Sequence, residues 1–89
     1  MKASKKVEGG KLVRAEVESV KIIKSVKITG DFFLHPENTL DLIEQNLLGT
    51  PLEPELIESK IKQTLQENNA TLYGVTAKDL ADVITEAIK

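Results

Sequence analysis

The residues able to do chemistry are few. His35, between Leu34 and Pro36, is the one imidazole, and in a loop leading into a helix it is expected to cap or to face solvent. Glu53, Glu55 and Glu58 cluster near a helix start, a placement that suits the helix dipole better than acid–base work. Gly9-Gly10 lacks the further glycines and the Lys-Ser/Thr of a phosphate-binding loop. The chain has no cysteine, which excludes disulfides, thiolate zinc sites and Cys nucleophiles. One histidine cannot build a His-rich metal site. No residue is therefore assigned a catalytic role, and the chain by itself reads as non-catalytic.

What the chain does hold is unevenly placed charge. Its 89 residues, 40% apolar and 29% charged, have the composition of one folded domain. The net charge of -2 conceals a split: residues 1–30 carry 8 basic and 3 acidic side chains, net +5, and the remainder 4 basic and 11 acidic, net -7. Residues 1–10 hold Lys2, Lys5, Lys6 and Gly9-Gly10 with little apolar content, so a flexible basic arm is expected there, ahead of a single domain over 11–89. No apolar run approaches the ~18 residues of a membrane span, and the lysine-rich start is not followed by the apolar core of a signal peptide. The expected location is cytoplasmic.

Val13, Ala15 and Val17 alternate with Arg14, Glu16 and Glu18, the pattern of a half-buried strand, with Leu12 breaking the polar face. Ile22 to Thr29 is β-branched and alternates at its end, a second strand. The phase of Val20, Ile22 and Ile23 fits no single alternation, so a bulge or a wide hairpin is expected between the two. Leu40, Ile43 and Leu47 form a helical stripe with Gly49 just past it. Pro54 opens a second helix, with Leu56, Ile57, Ile61 and Leu65 as its stripe and Asn68-Asn69 at its end. Thr76 with Asp79 reads as a capping box for a third helix carrying Leu80, Val83, Ile84, Ala87 and Ile88. The fold class is α+β: an antiparallel β-hairpin or small sheet packed against three helices in ββααα order, leaving the other sheet face open.

Gly30-Asp31-Phe32-Phe33 is the unusual local sequence, because it puts two of the three aromatics side by side directly after a strand. On extended backbone the two rings point to opposite sides, and only one can easily enter the core. Either both rings close the bottom of the domain, with Asp31 capping its own turn, or one is presented to another surface as an interface anchor.

Gly9-Gly10-Lys11-Leu12-Val13-Arg14, then Val26-Lys27-Ile28-Thr29 running into Gly30-Asp31-Phe32-Phe33 with Pro36-Glu37 after it, resembles the small accessory domain of lipoate-protein ligases. Leu47-Leu48-Gly49 and Tyr73-Gly74-Val75 also fit, so the resemblance spans roughly residues 9–88. In most bacterial ligases of this family the domain is the C-terminal part of a longer chain; here it starts at its own Met1 and the catalytic domain is absent from the sequence. The resemblance therefore implies the small subunit of a two-subunit ligase of archaeal type. Such a subunit would assist ATP-dependent conversion of lipoate to lipoyl-AMP, before transfer to a lysine of a lipoyl-domain acceptor protein. The partner is then the catalytic large subunit of a heterodimer. Lipoate, ATP and magnesium are expected on that partner and no cofactor on this chain alone.

Adenylation gains from cations and from the exclusion of water, which makes Lys11, flanked by Gly9 and Gly10 and helped by Arg14 or Lys6, a candidate contact to the partner's adenylate site; the alternative is that these cations only solvate the surface and steer docking to the partner. Leu12 lies within the same motif, and Gly30, Asp31, Phe32 and Phe33 are the candidate turn and docking residues. Two readings of other classes stand beside it. One is a protein-binding adaptor unrelated to lipoate. The other is a nucleic-acid-binding module using the basic hairpin, disfavoured by aromatics that are not interleaved with the lysines and by the acidic helical part.

Overall fold

The computed structural model describes residues 1–7, 9 and 11–88. Its elements are β1 (Lys2–Lys6), β2 (Leu12–Val20), β3 (Ile22–Gly30), β4 (Phe33–His35), α1 (Thr39–Leu47), α2 (Pro54–Glu67), β5 (Thr71–Tyr73) and α3 (Ala77–Ala87). β1, β2 and β3 form an antiparallel sheet in that order, and β4 pairs with β5 in a separate antiparallel ribbon. The fold is α+β, with the expected hairpin as β2–β3 and the three expected helices.

The alternation of β2 sends Val13, Ala15 and Val17 inward, and Ile23, Val26 and Ile28 of β3 join them in the core. The register slips between Glu18 and Ser19, so a bulge absorbs the phase mismatch around Val20 to Ile23. α3 lies against β1 and β2, α1 against β3, and α2 packs on both helices. Ile43, Leu47, Ile57, Ile61, Leu80, Val83 and Ile84 fill the space between. α3 starts with a complete capping box: the Thr76 hydroxyl accepts from the Asp79 N–H (3.1 Å) and the Asp79 carboxylate accepts from the Thr76 N–H (2.9 Å).

The N-terminal segment is where expectation and structure part. Lys2–Lys6 is not an arm but an edge strand, paired from Lys2↔Glu16 to Lys6↔Leu12. The reason is a diluted alternation. Ala3 packs against the core and Val7 is buried in it, while Lys5, on the same inward face, sends its ammonium to Asp82 of α3 at 3.3 Å. Two apolar residues separated by a lysine were too sparse to read as a strand, and the domain begins before residue 11.

The far edge of the sheet is closed differently. The Glu44 carboxylate of α1 accepts the Ile28 N–H at 2.8 Å, and the Thr50 carbonyl accepts the Ile23 N–H at 3.0 Å. A side chain and a loop thus take up backbone groups that an edge strand leaves unpaired.

Candidate functional site

The β4–β5 ribbon sets Phe33 opposite Tyr73, Leu34 opposite Leu72 and His35 opposite Thr71. Leu34 is buried and Leu72 packs against the core, so the period-two pleat turns Phe33, His35, Thr71 and Tyr73 outward together. Phe33 is 78% exposed and Tyr73 56%. Phe32 points the other way and packs against the core. Of three aromatics in the chain, two are therefore spent side by side on the surface. In a domain this small, whose stability rests on a limited core, adjacent exposed rings mark a contact surface rather than a packing solution.

Three connections converge to hold this ribbon. Gly30 ends β3 at φ +158°, and a Cβ there would overlap the Leu12 carbonyl oxygen and come within 3.0 Å of the Val13 Cα and 3.2 Å of a Phe32 ring carbon. With only a hydrogen in that space, the Asp31 N–H reaches the Leu12 carbonyl at 2.8 Å. A Cβ at Gly74 would lie 3.8 Å from the Asp31 carbonyl oxygen and from Cγ and Cε of Lys11, so the stem of Lys11 runs along the connection that follows Tyr73. Lys11, Leu12, Gly30, Asp31, Phe32 and Phe33 thus gather at one end of the molecule, joined by Tyr73 and Gly74. Gly9 sits in the β1–β2 turn with φ +90°, and Gly10 lies outside the described residues.

Arg14 and Lys6 do not join that group. They project from the outer face of the sheet, where cross-strand register builds the row Lys2–Glu16–Lys27 beside the row Ser4–Arg14–Thr29, with Lys6 beside Leu12 further on. The two rows line a concavity of about 460 Å³. Lys2 pairs with Glu16 at 3.6 Å. Among the described residues, no carboxylate stands within ion-pair distance of Lys6, Arg14 or Lys27.

The other singled-out groups fall into structural places. His35 is on the exposed ribbon, not in a loop, and its imidazole has no hydrogen-bond partner among the described residues. Glu53 is the residue before α2, Glu55 lies in its first turn, and Glu58 pairs with Lys62 at 2.9 Å. Among the described residues no three His, Asp or Glu side chains gather to hold a metal ion. The Asp82 carboxyl has a displaced titration: partial burial pushes it up, but hydrogen bonds from Lys78 (3.0 Å) and Lys5 (3.3 Å) outweigh that and hold it below its ordinary value. It ties β1 to α3 and stands apart from the ribbon. Sequence reasoning touched Tyr73 and Lys27 only within motifs and named neither as a site residue. The signal for Tyr73 was available, since it is the third of three aromatics and precedes a glycine.

The arrangement is suited to recognition: rings for apolar contact, a cation at their rim, and a second cationic face on the sheet. Among the described residues no helix is long and apolar enough to cross a membrane. The family model described as bacterial lipoate protein ligase C-terminus matches residues 1–84. Among solved structures, the fold is similar to a chain from an archaeal lipoylation system of Thermoplasma acidophilum, reported as a bi-partite lipoate protein ligase and its E2 lipoyl domain. The two are 23% identical with a TM-score of 0.74, over 100% of this chain and 93% of that one. No curated protein sequence matches the chain.

Proposed function

Because this chain belongs to the family of the bacterial lipoate protein ligase C-terminus, and is thus an accessory domain of that type, we propose that it works as the small subunit of a bipartite ligase. A separate catalytic subunit carries the active site, and this chain is required there for ATP-dependent activation of lipoate to lipoyl-AMP, before transfer to a lipoyl-domain lysine. The observation that carries the reading is the exposed Phe33–Tyr73 pair with Lys11 alongside. The fold shared with a chain from a bi-partite ligase supports it.

Joining a carboxylate to a nucleotide brings negative charge onto negative charge, so a cation and a dry site favour it. The aromatic ribbon supplies apolar anchors for docking. Docking brings Lys11, whose stem is held along Gly74, to the rim of the partner's adenylate site. Lipoate, ATP and magnesium are bound by the partner. Arg14 and Lys6 face away from Lys11 and are not part of this contact.

Lipoate-dependent pyrophosphate exchange, measured with the catalytic subunit, tests both parts. Phe33→Ala/Tyr73→Ala should weaken the complex by about 100-fold or more, as loss of two anchors does. Lys11→Ala should leave the complex intact and slow exchange by about tenfold. Unchanged affinity in the first removes the docking role, and unchanged exchange in the second removes the catalytic contribution of Lys11.

A further inference from the structure

Even if wholly covered, Phe33 and Tyr73 give at most about 400 Å² between them, about half of the ~800 Å² that each partner contributes to a stable interface. The docking surface has to continue beyond the ribbon, and the structure offers a continuous route. A groove of about 430 Å³ leads from Phe33 past Leu40 to Gly30, Thr29 and Lys27. Lys27 and Thr29 then form one side of the concavity on the outer sheet face, with Arg14 on the central strand and Ser4 and Lys2 across it.

The chemistry of that second face selects what fits it. Arg14 is flanked across the strands by two hydroxyls, Ser4 and Thr29, neither of which neutralises it, and a free guanidinium is a two-pronged donor for carboxylates. Lys27 is likewise without an ion-pair partner among the described residues. No aromatic stands on this face to stack bases, since Phe33 and Tyr73 belong to the ribbon and Phe32 to the core. Glu16, in the middle of the cationic row, repels a continuous phosphate backbone but leaves room for separate carboxylates on either side.

We infer that the catalytic partner is held by one continuous surface, which begins at Phe33 and Tyr73 and wraps over the end of β3 onto the outer sheet face, where Arg14 and Lys27 receive carboxylates of that partner. The inference rests on the ligase reading above. It divides the work: buried rings set how slowly the complex dissociates, and exposed cations at the rim set how fast it forms.

The test is association kinetics with the purified catalytic subunit at about 20 mM and about 300 mM salt. Arg14→Glu/Lys27→Glu should slow association about tenfold or more at low salt, with the gap closing at high salt and dissociation changing less than about threefold. Arg14→Gln/Lys27→Gln, which lacks the repulsion, should give an intermediate loss. Phe33→Ala should do the reverse, speeding dissociation with little effect on association. Wild-type binding whose rate and salt dependence survive the charge reversal overturns this inference alone. Failure of the wild-type chain to bind the subunit overturns the ligase reading and this inference with it. A single-stranded RNA oligonucleotide is run in parallel, and loss of RNA binding in the reversal variant without change in protein association gives the face to nucleic acid and overturns it as well.

Discussion

Replacing Gly30 by alanine tests the geometry that holds the aromatic ribbon. The added Cβ would overlap the Leu12 carbonyl oxygen and press on the Val13 Cα at 3.0 Å, both of them backbone, so no side chain can swing aside. Forcing that overlap costs about 1–3 kcal/mol, as overpacking does, and separating the strands loses the Asp31 to Leu12 hydrogen bond, about 1 kcal/mol more. Gly49 supplies the control. It too has positive φ (+83°), but a Cβ there meets nothing within 4 Å, so alanine at Gly49 carries the backbone penalty without the clash. Gly30→Ala is therefore expected to destabilise by about 2–4 kcal/mol more than Gly49→Ala. A domain of 89 residues has about 4–13 kcal/mol in all, and each kcal/mol moves its melting point by about 4–8 °C. Urea unfolding followed by far-ultraviolet circular dichroism measures the difference, with equal m values confirming that the same transition is compared. Equal losses for the two variants would refute the account of Gly30 as a forced close approach.

Asp82 sets a pH window. Its carboxyl titrates below the ordinary 3.8 in the folded chain, so its contribution is complete above the unfolded value and is lost as pH falls through the folded one. Asp82→Asn should lower urea stability at pH 7 and approach wild type as pH falls below the ordinary carboxylate range; a gap that persists undiminished at low pH counts against the Lys78 and Lys5 bonds as its source. The Thr50 hydroxyl is buried without a hydrogen-bond partner among the described residues, so Thr50→Val should raise stability by about 1 kcal/mol in the same assay, and a loss of that size would show the hydroxyl to be satisfied.

The elements that sequence reasoning found are those whose signal is local. A three-turn apolar stripe, a proline at a helix start and a Thr-Asp capping box act within a few residues, and α1, α2 and α3 followed from them. β2 and β3 were legible because their alternation is long enough to show its phase, and the broken phase even announced the bulge. β1, β4 and β5 were missed for a common reason: each is held by what it pairs with. Lys2–Lys6 has an inward face of Ala3 and Lys5 that makes sense only against Asp82, and three residues of ribbon carry no period at all. The candidate site inherits this division. Gly30 to Phe33 stood out as a motif, but its partner in space, Tyr73, lies on a strand that exists because Leu72 meets Leu34. The separation of Lys11 from Arg14 and Lys6, all grouped together in sequence, follows from the sheet having two faces.

The contact between Lys5 and Asp82 joins positions 77 residues apart, and this has a consequence for the chain as it is made. At about 5–20 residues per second, the helix that covers β1 and β2 emerges about 4–15 s after the strands themselves. During that interval Val13, Ala15 and Val17 lack the helix that covers them, and an uncovered strand recruits neighbours. The lysines along β1 and β3 then serve a second purpose, as charged sentries that discourage pairing between nascent chains until α3 arrives to close the domain.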